Sequence, residues 1–105
     1  MKQKMFTAAQ YKKLVDNFNK QDGGTKDFKV VVKLFNPAGL GTWYLSELNP
    51  ETNEAFGLAD LYEKELGYVS IDELKNLTLP MGLKIERDFS FPENKISFEE
   101  LMEVA

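Results

Sequence analysis

Residues 30–74 constrain the fold most strongly, because short apolar runs alternate there with residues that favour turns. The stretch opens with Val30, Val31 and Val32, and branching at Cβ favours extended backbone over helix. Pro37 and two nearby glycines then interrupt the run, as expected for a loop between strands. These features predict several short strands joined by turns and closed by a helix.

Alternation of apolar and polar residues predicts five strands in the chain. They are residues 29–35, 42–48, 55–61, 66–69 and 83–91, and the last is expected to be the longest. Short connections favour antiparallel pairing, since parallel neighbours need a long crossover. Gly57 and Ala59 share one face of the third strand, which predicts close approach by another element.

Three capping boxes predict where helices begin. In such a box a serine or threonine side chain accepts a bond from the backbone three residues later, and a glutamate or glutamine there returns one. The pairs are Thr7 with Gln10, Ser70 with Glu73, and Ser97 with Glu100. They predict helices over residues 8–20, after residue 70 and over residues 98–104. Glycines within residues 22–24 are expected to end the first helix.

These elements predict an α+β fold over residues 1–105 as a single domain. We expect a mostly antiparallel sheet of about five strands, packed by an N-terminal helix, a middle helix and a short C-terminal helix. The apolar content, 43%, is ordinary for a globular chain and argues against disorder.

The composition excludes several kinds of chemistry. The chain contains no cysteine and no histidine, so disulfides, thiolate metal sites and Ser–His nucleophiles are impossible. No cofactor is indicated. No apolar run approaches the roughly 20 residues that span a bilayer, and the first residues lack the apolar core of a secretory signal. We therefore expect a cytoplasmic protein with no membrane partner.

The charge is unevenly distributed. Residues 1–33 hold eight lysines against three aspartates, a net charge of +5, whereas residues 34–105 hold five basic and fourteen acidic residues, a net charge of −9. The basic part is either a solvated helix face or a contact for nucleic acid or an acidic partner. Arg87 is the only arginine. Specific recognition of duplex DNA is therefore not expected, since base readout relies on arginine.

Glu86 and Asp88 form a candidate metal site on the polar face of the last predicted strand. Their spacing of two residues places the carboxylates about 6–7 Å apart, and Mg²⁺ prefers such oxygen ligands. Asp60 or Glu47 would supply a third ligand if the strands are neighbours. The alternative is a solvated strand face.

Arg87 lies in phase with the apolar residues of its predicted strand, so the pattern directs it toward the core. A buried guanidinium needs carboxylate partners, because leaving it unpaired costs several kcal/mol. One interpretation is a structural ion pair with Asp60 or Glu47. The other is an anion-binding arginine in a pocket. Arg87, Asp60 and Glu47 are therefore candidate binding residues.

The second predicted strand directs Trp43, Leu45 and Glu47 to one face and Tyr44 to the other. Either the sheet is covered on both sides and both aromatic residues lie in cores, or one of them is exposed as a binding platform. Trp43, and Tyr68 in the fourth predicted strand, are therefore candidate binding residues.

Four blocks of sequence together resemble domain-of-unknown-function family 2958. They are Phe35-Asn36-Pro37 with Thr42-Trp43-Tyr44, Ala55-Phe56-Gly57-Leu58, Glu65-Leu66-Gly67-Tyr68-Val69-Ser70 with Glu73-Leu74, and Gly82-Leu83-Lys84-Ile85-Glu86-Arg87-Asp88. The resemblance covers roughly residues 30–91. It implies a bacterial setting, often on plasmids, conjugative elements or phages. It implies no activity and no catalytic residue.

The leading functional hypothesis is a small accessory or binding protein of a mobile genetic element, acting through a protein or nucleoprotein partner. A non-enzymatic role is favoured because the standard catalytic constellations are missing from the sequence. The alternatives are a carboxylate-metal-dependent hydrolase using Glu86 and Asp88, and a phage-borne inhibitor of host defence. Partner identity and oligomeric state stay open.

Overall fold

A computed structural model describes residues 5–21 and 28–103 of the chain. Its elements in chain order are α1 Ala8–Gln21, β1 Val32–Phe35, β2 Thr42–Asn49, β3 Glu54–Asp60, β4 Lys64–Ser70, α2 Ile71–Asn76, a 3₁₀ turn Pro80–Gly82, β5 Glu86–Arg87 and α3 Phe98–Glu103. The α+β prediction is confirmed, with an N-terminal helix, a five-stranded sheet, a middle helix and a short C-terminal helix.

The sheet is antiparallel throughout, with strand order β4-β3-β2-β1-β5. Hairpins connect β1 to β2, β2 to β3 and β3 to β4, which explains why sequence neighbours lie side by side. The chain then passes through α2 and returns to the far side of β1. The two edges of the sheet are therefore β4 and β5.

The predicted helix starts are confirmed by their hydrogen bonds. The N–H of Gln10 donates to Thr7 Oγ1 at 3.1 Å, and the N–H of Thr7 donates to Gln10 Oε1 at 2.9 Å. The same reciprocal bonds join Ser97 and Glu100 at the start of α3. At α2 the side chain of Ser70 accepts from the N–H three residues on. The predicted stop at residues 22–24 lies outside the described residues.

Both faces of the sheet are covered. On one face α1 and α2 pack over the α1 core, formed by Leu14, Val31, Val32, Leu34, Trp43, Leu45, Leu48, Ala55, Ile71, Leu74 and Ile85. On the other face α3 and the segment before it pack over the α3 core, formed by Val30, Phe56, Leu58 and Phe98 with Tyr44, Phe91 and Leu101. Trp43 and Tyr44 therefore lie in opposite cores, and each fully buried large side chain stabilises the fold by about 1.5–3 kcal/mol.

The prediction of a long strand over residues 83–91 is wrong, because only Glu86 and Arg87 are strand residues. They pair with the last two residues of β1, which is itself only four residues long. The chain then turns at Asp88, and Phe89, predicted to face the core, is 76% exposed. Alternation alone could not show that the chain turns at Asp88, nor that β1 ends at Phe35, opposite Glu86.

The predicted start of β1 at residue 29 is also too early. The N–H of Val31 donates to the carbonyl of Leu45 in β2, but the N–H of Val30 donates to the carbonyl of Ile96, both at 2.8 Å. Val31 therefore bonds to β2, whereas Val30 bonds to the segment before α3. Regular pairing of β1 begins at Val32.

A β-bulge in β2 overturns the predicted alternation beyond Leu45. Leu45 lies opposite Gly57, yet Glu47 lies opposite Phe56, so one extra residue is inserted between them. As a result Leu48 joins Leu45 in the α1 core, and Glu47 leaves the face on which Trp43 lies.

Candidate functional site

The candidate site lies along β4, an edge strand of seven residues. None of its residues is buried, and the side chains of Leu66 and Tyr68 are 37% and 52% exposed. An edge strand presents a row of backbone N–H and C=O groups that can pair with another extended chain. β4 contains no proline that would block such pairing.

A groove of about 90 Å³ lies beside this edge strand. Gly57 in β3 and Gly67 in β4 are opposite each other, and Ala59 follows on the same face. Small residues side by side leave the backbone uncovered there. Trp43 and Leu45 line the inner side of the groove, and residues of β4 line its outer side.

The two glycines differ in what surrounds them. A Cβ added to Gly57 would lie 1.9 Å from the carbonyl oxygen of Tyr44 in β2, so glycine is required by the close approach of two strands. A Cβ added to Gly67 would have no heavy atom within 4 Å. The predicted close approach at Gly57 is thus confirmed, and Gly67 instead borders open space in the groove.

Trp43 and Tyr68 are both brought to this groove. Trp43 is only 8% exposed, so it forms the groove wall and is no open platform. The ring of Tyr68 contacts Phe56 edge-to-face at 5.4 Å, and Phe56 contacts Phe98 at 6.1 Å. This chain of rings fixes the edge strand against the α3 core, since such pairs add about 0.5–1.5 kcal/mol beyond area burial.

Acidic side chains surround the site. Five exposed carboxylates lie on or next to β4, namely Glu54, Glu63, Glu65, Asp72 and Glu73. The ammonium of Lys64 donates to the carbonyl of Leu101 in α3 at 2.9 Å. Negative charge along this edge favours a basic ligand and disfavours the phosphates of nucleic acid.

Arg87 lies at the opposite edge of the sheet. It is half-buried, pairs in register with Leu34, and its guanidinium lies 4.9 Å from the centre of the Phe89 ring. Asp60 pairs in register with Thr42 at the other side of the sheet. Three strand spacings, about 14 Å, separate β5 from β3. The fold therefore separates Arg87 from Asp60.

Glu47 is fully buried at the bulge of β2. Its register partner is Phe56, which belongs to the α3 core, whereas Arg87 pairs with Leu34 of the α1 core. The bulge thus places Glu47 and Arg87 on opposite faces, contrary to the predicted pairing. Beside Glu47, the carbonyl of Ser46 accepts a bond at 2.9 Å from the side-chain amide of Asn17, which ties α1 to the bulge.

Asp88 is engaged in a structural turn. Its Oδ1 accepts bonds from the Ser90 hydroxyl at 2.7 Å and the Ser90 N–H at 2.9 Å, and its Oδ2 lies 3.4 Å from Lys33 Nζ. These hydrogen bonds from Ser90, followed by the positive charge of Lys33, hold the pKa of Asp88 below its ordinary value. The ammonium of Lys33 also lies 5.7 Å from the centre of the Tyr44 ring.

The proposed metal ligands are not gathered by the fold. Glu86 is half-buried opposite Phe35, and Asp60 lies three strands away from it. Within residues 5–21 and 28–103, no group of three or more aspartate, glutamate, histidine or cysteine side chains is placed to hold a metal ion. A metal at Asp88 would have to displace its bonds with Ser90 and Lys33.

Sequence reasoning missed Gly67 and Glu65 as parts of the site. Gly67 lies in the predicted strand 66–69, whereas Glu65 lies just before it, in the connection that the sequence predicts there. The groove arises only because β3 and β4 pair with the two glycines opposite each other. The sequence signal for such a groove is a pair of glycines that align with each other across two predicted hairpin strands.

The comparisons with known proteins identify a family. In the described part of the chain, no helix combines the length and apolar character needed to cross a membrane. The chain matches no curated protein and no solved structure. It does match the family described as "Protein of unknown function (DUF2958)" over residues 5–105. The resemblance that the sequence blocks indicated is thereby confirmed, and the chain belongs to the DUF2958 family.

Proposed function

We propose that this protein is a non-enzymatic accessory or binding protein that recognises a protein partner through β4. The observation that carries the proposal is a seven-residue edge strand without buried residues, next to a groove. Natural proteins usually shorten, charge or cover such edges, because an open edge recruits other strands. In β4 the charges are confined to its start, Lys64 and Glu65, and residues 66–70 carry none. An edge left open in a folded domain is best explained by binding.

The polar residues elsewhere support a binding role. Asp88 stabilises a turn through Ser90 and Lys33, and Glu47 is enclosed at the bulge. Residues with these structural duties are poor candidates for acid–base chemistry or for metal ligation. Two of the residues that β4 leaves exposed, Glu65 and Leu66, have no such structural role among the described contacts.

The partner is proposed to be a protein, or the protein component of a nucleoprotein complex. Carboxylates on or beside β4, such as Glu63, Glu65 and Asp72, would repel a nucleic-acid backbone and attract basic segments. The proposed setting is the bacterial cytoplasm, on a plasmid, conjugative element or phage. This setting is the one implied by the family resemblance.

Photo-crosslinking from matched positions tests this proposal. A benzophenone side chain is placed at Tyr68 on the β4 edge or, as the control, at Phe89, an exposed aromatic at the β5 edge. In cells of the natural host, we expect defined adducts from position 68 that are lost when Leu66→Lys is added. Equal adducts from both positions, or none from position 68, would overturn the proposal.

A further inference from the structure

We propose that the partner segment is an extended peptide that adds antiparallel to β4 as a sixth strand, with a large apolar side chain over Gly67 and a basic side chain opposite Glu65. This inference rests on the proposed function of β4 as a binding edge. It names the chemistry of the ligand that the edge and its groove fit.

The position opposite Gly67 is determined by the register of the sheet. Leu45, Gly57 and Gly67 lie in one row across three strands, and their side-chain direction is toward the α1 face. The residue of a sixth strand that pairs with Gly67 would point to the same face. Because Gly67 carries no side chain, a large apolar group on the neighbouring strand can cover its exposed backbone.

The groove provides contacts for that side chain. Trp43 and Leu45 lie on its inner side and Val69 on its outer side. The space above Gly67 is open for at least 4 Å around the position of a Cβ. An aromatic or long aliphatic side chain would therefore cover the backbone of Gly67 and contact Val69 without moving the backbone of β4, whereas Trp43 in β2 lies three strand spacings from a sixth strand.

The charge preference follows from Glu65. It lies two residues before Gly67 on the same face, and it is exposed at the rim of the groove. In antiparallel pairing, the peptide residue opposite Glu65 is two positions C-terminal to the one opposite Gly67. Opposite charges directly across two strands stabilise pairing and like charges oppose it. The expected pattern is thus a large apolar residue, any residue, then lysine or arginine.

A second copy of the chain fits this edge less well. Symmetric pairing centred on Gly67 would place glycine opposite glycine and Glu65 opposite Val69. Pairing centred on Glu65 would place two glutamates opposite each other, and pairing centred on Tyr68 would be shortened because α2 begins at Ile71. A separate peptide can fill the groove and neutralise Glu65 at once.

The first experiment measures peptide affinity by fluorescence anisotropy. The probe is a peptide of about nine residues rich in valine and threonine, with phenylalanine at the position opposite Gly67 and arginine two residues later. Three matched peptides carry one change each. In one, glycine replaces the phenylalanine; in another, glutamate replaces the arginine; in the third, the arginine is moved to two residues before the phenylalanine. We expect each change to weaken binding by roughly two- to fivefold. A preference for the peptide with the earlier arginine would indicate parallel addition and overturn the inference.

The second experiment changes the protein. Gly67→Val fills the groove in extended backbone that tolerates a branched residue, and it should weaken the phenylalanine peptide by about tenfold while the unfolding midpoint is kept. Glu65→Lys should reverse the preference between the arginine and glutamate peptides. Such a reversal depends on charge and would not follow from a general loss of structure.

The outcomes separate this inference from the proposed function. If wild-type protein binds no probe peptide, or binds all of them equally, the peptide chemistry is overturned, while crosslinks from position 68 would still support an edge-binding protein. If sedimentation instead shows a dimer that Gly67→Val abolishes, the edge is occupied by a second copy and the inference is wrong. If no crosslinks form from position 68, both the peptide inference and the proposed function are overturned.

Discussion

The two edges of the sheet are built in opposite ways. β5 has two residues and is ended at once by the turn at Asp88, so little backbone is left open beside it. β4 has seven residues and carries exposed Leu66 and Tyr68. The same sheet therefore closes one edge with a local polar turn and leaves the other available. Within the described residues, the two edges thus differ in length, in exposure and in how their charges are used.

The contrast extends to the charged residues at each edge. At the β5 edge, Asp88 is paired with Lys33 and bonded to Ser90, so its charge is used inside the fold. At the β4 edge, Glu65 and neighbouring acids are exposed at a groove. The charge at the β5 edge therefore stabilises a turn, whereas the charge of Glu65 at the β4 edge has no such role among the described contacts.

The largest expected difference in stability is between a substitution inside the sheet and the matched substitution at its open edge. Gly57→Ala places a methyl group 1.9 Å from the carbonyl oxygen of Tyr44, and should lower the free energy of unfolding by about 3 kcal/mol or more, since the backbone must move. Gly67 pairs in register with Gly57, and Gly67→Ala should change the free energy of unfolding by less than about 1 kcal/mol. Urea unfolding of both variants measures the difference. Similar losses in the two would contradict the assignment of Gly67 to the open side.

The second-largest loss of stability is expected when the turn that ends β5 is removed. Asp88→Ala eliminates the bonds with Ser90 and the contact with Lys33, and should cost about 1–2 kcal/mol of unfolding free energy. Ser90→Ala is the matched control, because it removes the hydroxyl donor and keeps the backbone donor, and it should cost less. A null effect of Asp88→Ala in urea unfolding would show that β5 does not depend on this turn.

A smaller change in stability is expected when the pH is lowered far enough to protonate Asp88. Bonds from Ser90 lower the pKa of Asp88 in the folded protein, so the stabilisation by its carboxylate is present above the unfolded pKa of about 4 and is lost as pH falls through the lower folded pKa. The difference in unfolding free energy between wild type and Asp88→Asn should therefore shrink below about pH 4. A difference that stays constant down to about pH 2 would contradict this origin.

The smallest effect on stability is expected at β4 itself. Leu66→Lys exchanges a partly exposed side chain for a charged one and should change the unfolding free energy by less than about 0.5 kcal/mol. The same substitution should abolish edge-dependent crosslinks from position 68, because lysine on an edge strand opposes strand addition. Loss of stability comparable to that of Asp88→Ala would show that the β4 edge contributes to the cores.

Features determined by nearby residues were predictable from sequence. The capping pairs Thr7 with Gln10 and Ser97 with Glu100 act across three residues, so α1 and α3 begin where the sequence indicates. The hairpin strands follow for the same reason, since turn residues such as Pro37 separate them. The α+β architecture follows from these local elements.

Features determined by pairing between distant residues were not predictable. The alternation of residues 83–91 does not show that β1 ends at Phe35, which limits where β5 can begin, or that the turn at Asp88 ends it after Arg87. Arg87 was therefore placed correctly in phase with apolar residues and incorrectly near Asp60 and Glu47. The groove at Gly67 likewise exists only through the register of β3 with β4.

The bulge in β2 makes the length of this strand as important as its composition. The residue inserted at Ser46 inverts the facing of everything that follows it, so that Leu48 and not Glu47 faces α1. Deletion of Ser46 would remove the bulge and restore regular pairing, and Glu47 would still lie opposite Phe56 and Leu48 opposite Ala55. The position of the bulge therefore matters as much as its presence, since a one-residue deletion after the bulge, unlike one at Ser46, would exchange the faces of the residues that follow it.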